Sequence, residues 1–432
     1  MNESRLQSFF TFIEESPVSF LAVNTLAGMA EKAGYKQLKE TEKWKLERGG
    51  HYYVIRNDSS IIAFSVPKSE IKGFHIVASH SDSPTFKIKE NAEMKVEEKY
   101  IRLNTEKYGG MIMHTWLDRP LSVAGRIAVR NHGKIESRLV KVDRDLLVIP
   151  NLAIHMNRDV NKGVEYNAQT DMLPLFAGGG AKEELLDVVA ESSGVKKEDI
   201  LAHDLFLYVR EKGRILGAGG EFMLAPRLDD LACVYSSMTA LLESDVSNYI
   251  NICAVFDHEE VGSSTRQGAD STFLEDVLVR IKEAYGEGEE WLRCMIADSF
   301  LISADNAHAL HPNQPGKADP TNRPVLNGGI VIKYHGNQKY TTDALTGAVV
   351  KELCKKAGVP FQCYANRSDI AGGSTLGNIS MAHVSVPAAD IGLPQLAMHS
   401  ALETAGSKDV VYLIDLIKQF YGDDALFTCA QV

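Results

Sequence analysis

Apolar residues at helical spacing open the chain and then give way to short strand-like runs. Residues 5–33 show this spacing, with an interruption at Ser16-Pro17 and a stop near Gly34, which predicts two consecutive helices. The runs HYYVIR and SIIAFSV are joined by Asn57-Asp58 and predict two strands connected by a turn. The next run, FHIVAS (74–79), is continuously apolar, as expected for a strand buried on both faces.

The pattern of polar and apolar residues changes in the middle of the chain. Between about residues 92 and 220, stretches such as GRIAVR and KIESRLVKV alternate in polarity around Asn131-His132-Gly133 and predict antiparallel hairpins. After Ala225, apolar strands alternate with amphipathic helices, for example NICAVF, residues 271–285, GIVIKY, residues 342–356, VSVPAADI and residues 409–421. This alternation is typical of an α/β sheet with helices on both faces.

Together these patterns predict an α/β protein of two parts. Residues 1–91 and 222–432 form a split α/β domain built on a mixed sheet with helices on both faces, and residues 92–221 form an inserted β-rich domain. A length of 432 residues also favours more than one hydrophobic core.

Composition excludes several classes of partner. The formal charge of −11 disfavours binding to nucleic acid or to an anionic membrane, and no apolar run reaches the ~20 residues of a membrane helix. The acidic start MNESRLQSFFTFIEE lacks the features of a secretory signal. Six scattered cysteines without a C-x-x-C pair, the last being Cys429, are typical of reduced thiols. We therefore expect a cytoplasmic protein.

Two polar clusters directly follow apolar strands, where an open α/β sheet places its ligands. In His80-Ser81-Asp82-Ser83-Pro84, a histidine and a nearby carboxylate suit a metal ligand and the group that orients it, although such turns are common without a metal. In Asp257-His258-Glu259-Glu260, two carboxylates suit the separate roles of ligand and general base, and the alternative is a solvated acidic turn.

Three further clusters supply candidates of the same kind. Asp229, in Arg227-Leu228-Asp229-Asp230, is a candidate ligand, although this cluster taken alone favours a carboxylate that serves the start of a helix. In SADNAHALH (303–311), Asp305 competes with His308 and His311. His399 follows an apolar run near the carboxyl end, where a single histidine is often structural. Collected at one sheet edge, these imidazoles and carboxylates would suit a pair of divalent ions that share a carboxylate.

Longer blocks of sequence surround these candidates. They are HSDSP, YGGMIMHTWLDRPLSVAGR, FMLAPRLDDL, DHEEVGS, SADNAHALHPN and LPQLAMHS. In their order and approximate spacing, from near residue 16 to the end, they resemble the signature blocks of the aspartyl aminopeptidases. The resemblance implies a co-catalytic aminopeptidase with two zinc ions per subunit, for which Mn²⁺ or Co²⁺ are possible substitutes. It also implies short peptide substrates and a homo-oligomer, a dodecamer built from dimers.

The resemblance also implies a role for each matching residue. His80 and Asp305 hold one zinc ion, Glu260 and His399 hold the other, and Asp229 bridges them. Glu259 is the general base, and Asp82 stands behind His80. Lys333 and Tyr340, in IVIKYHGNQKY, line the pocket for the first side chain of the substrate, and His155 is a functional histidine of the inserted domain. The chain departs from the family at Asp230 and His258, where asparagine is frequent.

Other functions remain open from the sequence. A preference for acidic first residues is expected, and a neutral, leucine-type preference is the alternative. A serine hydrolase based on Ser374 is disfavoured, because Gly372-Gly373-Ser374-Thr375-Leu376-Gly377 does not match G-x-S-x-G. A non-catalytic scaffold of the same fold is also disfavoured, because Glu259 and all five implied ligands are present.

Overall fold

The computed structural model describes residues 2–244, 247–373 and 375–424. The helices are α1 Asn2–Glu15, α2 Ser19–Lys32, α3 Leu185–Ser193, α4 Leu228–Glu243, α5 Phe273–Ala284, α6 Glu289–Ala297, α7 Ala344–Ala357, α8 Leu376–Ser380 and α9 Asp409–Gly422. The two helices predicted at the start of the chain are present, and Ser16-Pro17 separates them.

A nine-stranded sheet forms the centre of the described part of the chain. Its strands are β1 Lys36–Leu38, β2 His51–Arg56, β3 Ser60–Ser65, β4 Phe74–His80, β13 Ile250–Phe256, β14 Phe300–Ala304, β16 Ile330–Tyr334, β17 Phe361–Ala365 and β18 Ala388–Gly392. Their order is β1-β2-β3-β13-β4-β14-β18-β16-β17. β4 is parallel to both β13 and β14, whereas β3 and β16 are antiparallel to their inner neighbours β13 and β18. The sheet is therefore mixed.

Two smaller sheets complete the β structure. The six-stranded sheet has the order β8-β7-β10-β5-β6-β9, and the five-stranded sheet has the order β11-β12-β20-β19-β15. The former comprises β5 Thr85–Val96, β6 Tyr100–Tyr108, β7 Leu121–Asn131, β8 Lys134–Lys141, β9 Leu175–Gly178 and β10 Ile200–Val209. The latter comprises β11 Arg214–Leu216, β12 Phe222–Ala225, β15 Ala307–His308, β19 Pro394–Leu396 and β20 Glu403–Gly406. The predicted hairpin around His132-Gly133 is the β7–β8 pair.

Helices cover both faces of the central sheet because successive strand residues point to opposite faces. In β4, Val77 packs into the core formed with α1, α2, α4, α7 and α9, whereas Ile76 and Ala78 pack into the core formed with α5, α6 and α8. His75 is also buried, and its ring stacks on Tyr249 with a centroid distance of 4.0 Å. This arrangement confirms the predicted α/β class.

Some local expectations differ from the structure. The middle segment contains one helix, α3, because Leu185, Val188 and Val189 present an apolar face at helical spacing to the core of the six-stranded sheet. The run VSVPAADI becomes a strand only from Ala388, since Pro387 lacks the N–H that a central strand requires. Among the described residues, no helix has the length and apolar character required to cross a bilayer.

Candidate metal centre

His80 and Asp82 form the first part of the site. His80 ends β4 and is buried, and its Nε2 lies 3.5 Å from Asp229 Oδ1. Asp82 Oδ1 lies 3.3 Å from His80 Nδ1 and accepts the backbone N–H of Glu259 at 3.1 Å. Asp82 Oδ2 accepts the backbone N–H of Glu260 at 3.1 Å and the hydroxyl of Tyr108 at 2.7 Å. The backbone carbonyl of Asp82 also lies 3.1 Å from His80 Nδ1. Asp82 thus positions the histidine ring through its carbonyl and its carboxylate, and the glutamate pair through its carboxylate.

Strand order explains why the glutamates meet His80. β13 runs parallel to β4 with Phe256 opposite His80, so both strands end at the same edge. The chain then turns through His258, in the left-handed region at φ 64°, into a short 3₁₀ turn at Glu259–Val261. This turn brings both glutamate side chains towards the residues that follow β4, and Glu259 and Glu260 group with His80.

Asp229 lies at the start of α4 without acting as its cap. Its φ/ψ of −85°/110° is not helical, and its N–H donates to Glu403 Oε2 at 3.0 Å. Asp229 Oδ1 is buried and has no hydrogen-bond partner among the described residues. Of the two interpretations drawn from the sequence, this geometry favours a ligand over a helix-terminal carboxylate. The adjacent Asp230 is also buried, and its Oδ2 accepts the N–H of His80 at 3.2 Å.

His399 reaches the cluster from the opposite end of the chain. Its Nδ1 faces the carbonyl of Gly110 at 2.6 Å, which leaves Nε2 directed at the carboxylates. Nε2 lies 3.4 Å from Asp229 Oδ2 and 3.2 Å from Glu260 Oε1. The backbone N–H of His399 donates to Glu403 Oε1 at 2.6 Å, so the buried Glu403 holds both Asp229 and His399.

These side chains form three overlapping groups in which the candidate ligand atoms lie within 4.8 Å of one another. The groups are His80, Asp229, Asp230 and Asp305; His80, Glu259 and Glu260; and Asp229, Glu260 and His399. The five residues expected as ligands and Glu259 therefore all meet here, whereas neither His308 nor His311 belongs to a group. Asp229 is common to the first and third groups, as a bridging ligand would be.

The pKa shifts show how much negative charge this cluster concentrates. Burial raises the pKa of Glu259 to about 8 and that of Glu260 to about 7. Burial alone would lower the pKa of His399, but its interactions with Asp229 and Glu260 raise it to about 11. Without an ion, the site thus retains protons to offset its carboxylates. Asp229 Oδ1 and Glu260 Oε1 are buried and, in the described part of the chain, have histidine nitrogens nearby but no hydrogen bond, and this donor set fits divalent cations.

Lys333 and Tyr340 lie beside this cluster but are buried. Lys333 is 2% exposed, and its Nζ lies 3.7 Å from Asp305 Oδ1 and 5.4 Å from the centre of the Tyr340 ring. The pKa of Lys333 stays above its usual value despite burial, chiefly because of Asp305. Lys333 is therefore a cation held against one of the candidate ligands.

His155 belongs to none of these groups. It is exposed in the segment between β8 and β9, near the exposed side chains of Leu152, Ile154 and Met156. Ser374, on which the serine-hydrolase alternative depends, and Cys429 lie outside the described residues. The other cysteines, Cys233, Cys253, Cys294, Cys354 and Cys363, are free thiols.

Sequence reasoning missed two residues that organise the cluster. Tyr108 donates to Asp82, and Glu403 accepts from two residues of the site. Tyr108 is the first residue of one of the sequence blocks named above, and Glu403 follows His399 by four positions. Their closeness in sequence to these blocks was the one feature that could have drawn attention to them. The sequence around Tyr108 or Glu403 contains no pattern that predicts which residue its side chain contacts.

Comparison with known proteins gives this geometry a family context. A model of the family "Aminopeptidase I zinc metalloprotease (M18)" matches residues 12–421. A probable M18 family aminopeptidase 2 of Clostridium novyi is 48% identical over 419 residues, covering 95% of this chain and 96% of that protein.

Solved structures agree with the family match. Ape4, in its complex with Nbr1, has a TM-score of 0.94 and 38% identity over 97% of this chain and 86% of that chain. The S. cerevisiae mApe1 dodecamer has a TM-score of 0.84 and 30% identity over 96% of each chain. The chain therefore belongs to the M18 family of aminopeptidase I zinc metalloproteases and is a metallo-aminopeptidase.

Proposed function

We propose that this aminopeptidase uses two divalent ions, zinc in the first place and Mn²⁺ or Co²⁺ as substitutes, to remove the first residue of short peptides. The observation that carries the proposal is the overlap of the candidate ligand groups, with Asp229 shared and Glu259 alongside. His80 and Asp305 would hold one ion, Glu260 and His399 the other, and Asp229 both. Zinc bound here would activate water and polarise the carbonyl of the substrate.

Side chains of the protein carry out proton transfer, positioning and recognition of the substrate's α-amino group. Glu259, buried and with a raised pKa, accepts a proton from the attacking water and returns one to the departing amine. Asp82 keeps the turn at Glu259 and the ring of His80 in position. Carboxylates of the same cluster face the α-amino group of the substrate, which confines cleavage to the first peptide bond.

The proposed preference is for Asp or Glu as the first residue. It depends on a local cation, since a chain of net charge −11 does not attract acidic peptides by itself. Lys333 and Tyr340 lie beside Asp305 and supply a cation and a phenol there. A neutral preference is the competing proposal, and the pairing of Lys333 with Asp305 favours it, because that pairing already neutralises the cation.

We also propose a homo-oligomer, a dodecamer built from dimers, with residues 92–221 as the oligomerisation domain. Two observations support it: the similar S. cerevisiae mApe1 is a dodecamer, and Leu152, Ile154 and Met156 expose apolar side chains near the exposed His155. His155 would then reach the active site of a neighbouring subunit. A closed particle would admit only short or unfolded peptides, which suits the proposed cytoplasmic location.

Removal and return of metal tests the central proposal. Chelation should abolish hydrolysis of a panel of aminoacyl p-nitroanilides, and addition of zinc, cobalt or manganese should restore it. Elemental analysis of the restored enzyme should give two ions per chain. Full activity in a metal-free preparation, or a stoichiometry of one at full activity, would contradict the two-ion proposal.

A further inference from the structure

A cavity of about 260 Å³ lies beside the segment that follows Asp305 in the chain. His308 lines it and lies three residues after Asp305, and the charges of Lys333, Asp229 and His399 act on the His308 ring. The His308 ring is 6.2 Å from that of Tyr364, which is 6.4 Å from that of Tyr340. A row of rings thus connects the Lys333–Tyr340 region to this cavity.

The cavity concentrates positive charge in an acidic protein. Lys317 and Arg323 line it and are exposed, and neither has a carboxylate within 4.0 Å in the described ranges. A third cation, Arg367, is paired with Asp369 at 2.7 Å. The carboxylate of Asp319 is engaged by the backbone N–H groups of Thr321 and Asn322 at 3.0 and 2.8 Å. Lys317 and Arg323 therefore have no direct ion-pair partner in the described ranges, although Lys317 also lowers the pKa of Asp369 from a longer distance.

One wall of the cavity has the form that an extended peptide needs. Gly372 and Gly373 line it, and a Cβ added at Gly373 would meet no atom within 4 Å. A side chain at Gly372 would instead collide with Asn366 Nδ2, at 2.2 Å. The backbone here is exposed on the side of the cavity, so that a peptide main chain can approach it closely.

We propose that this cavity binds a carboxylate of the substrate on the carboxyl side of the scissile bond, with Lys317 and Arg323 as its cations. The inference rests on the proposed function. The Lys333–Tyr340 region is proposed to take the one residue on the amino side of the cleaved bond, so the neighbouring cavity is left for the residues that follow. The carboxylate is either an acidic side chain at the second or third position or the free C-terminus of a short peptide.

The substrates that test this share one first residue, the best of the p-nitroanilide panel. Peptide amides with Ala-Ala, Asp-Ala or Ala-Asp after that residue vary the side-chain carboxylate. A dipeptide with a free C-terminus and the same dipeptide as an amide vary the terminal carboxylate. The p-nitroanilide itself carries neither. Initial rates are compared for the metal-loaded wild type and for the double variant Lys317→Gln/Arg323→Gln.

The wild type should prefer carboxylate-bearing substrates by about 2- to 30-fold in kcat/KM, the range of two partly exposed charge pairs. The double variant should lose this preference and keep its p-nitroanilide rate. The matched control is Lys36→Gln, at an exposed lysine in β1, the strand at the opposite edge of the central sheet from β17, and it should retain the preference. High salt should weaken the preference in the wild type.

Each outcome is decisive. A preference confined to the free dipeptide identifies the C-terminus as the ligand, and one confined to the acidic peptide amides identifies the side chain. A wild type that hydrolyses the p-nitroanilide but shows no preference overturns this inference alone, as does a double variant that keeps the preference. A metal-loaded wild type that hydrolyses no substrate overturns the proposed function instead.

Discussion

Asp82→Asn offers the sharpest test of how the site is held together. The buried carboxylate accepts backbone N–H groups on both oxygens, one from Glu259 and one from Glu260, each at 3.1 Å. Burial alone would raise the pKa of Asp82, but His80 and the hydrogen-bond donors hold it below its usual value, so the group is an anion at neutral pH. Asparagine keeps the shape but replaces one acceptor oxygen with an amide NH₂, which only donates.

The magnitude follows from this mismatch. In either orientation the amide NH₂ faces one of the two backbone N–H groups, so at least one hydrogen bond to a charged acceptor is lost, worth about 1.5–3 kcal/mol. If the lost hydrogen bond displaces Glu259, the transition state loses the same free energy. The value of kcat/KM then falls by about 10- to 150-fold, since 1.36 kcal/mol corresponds to a factor of ten. Metal binding should weaken towards the lower end of the range of about 10- to 100-fold, because the backbone carbonyl of Asp82, 3.1 Å from His80 Nδ1, remains in the variant.

The assay combines initial rates on a p-nitroanilide with metal titration of the apo protein and its thermal unfolding. Tyr108→Phe is the matched control, because it removes one neutral donor to Asp82 and leaves both backbone contacts intact. Because the turn keeps both of its contacts with the carboxylate, the effect of Tyr108→Phe on kcat/KM should be smaller than that of Asp82→Asn. An Asp82→Asn enzyme within twofold of the wild type, or a Tyr108→Phe enzyme equally impaired, would refute the assignment of Asp82 as the organiser of the turn.

Four further results are expected. Glu259→Gln should keep its metal while kcat falls by about 10²–10⁴-fold, and loss of metal in Glu259→Gln but not in Glu260→Gln would reverse the proposed roles. Lys333→Ala should lower kcat/KM for aspartyl and glutamyl more than for leucyl p-nitroanilides, whereas equal losses would mean that it only supports Asp305. Mixed oligomers of His155→Phe and Glu259→Gln subunits should regain part of the activity that each lacks, and no recovery would exclude shared sites. Burial lowers the pKa of His75 to about 3, so the unfolded chain binds a proton near pH 6.5 that the native chain does not. Between pH 7 and 5 the apo wild type should therefore lose about 2 kcal/mol more stability than His75→Phe in urea unfolding, and parallel losses would contradict this.

Hydrophobic patterning predicted most of the central fold. β4 and β13 are continuously buried strands, and the sequence showed them as uninterrupted apolar runs. The short helices α3 and α6 were not predicted, because each spans only nine residues and its apolar face is correspondingly short. Strand order also had to come from the structure, since β13 lies between β3 and β4 although it follows them by 170 residues or more.

At the site, the sequence pointed to residues that the structure gathers in one cluster, but not to what each one touches. His80, Glu260 and His399 stood out as polar residues after apolar segments, and the structure brings them into overlapping groups. Lys333 looked like a cation that extends towards substrate, whereas its ammonium group lies against Asp305. Contacts of this kind join residues from separate strands, so a local sequence pattern does not predict them.

The distance along the chain between His80 and His399 has a consequence for synthesis. The partners of the cluster enter the chain in turn: Asp229, then Glu260, then Asp305, and last His399 with Glu403, which holds both Asp229 and His399. A nascent chain that has not yet reached His399 therefore lacks one of the five proposed ligands, together with Glu403, which holds two of them. Because translation proceeds from the N-terminus, the complete cluster cannot form before His399 and Glu403 have been synthesised. Under the proposed ligand set, hydrolytic activity therefore requires synthesis to pass Glu403.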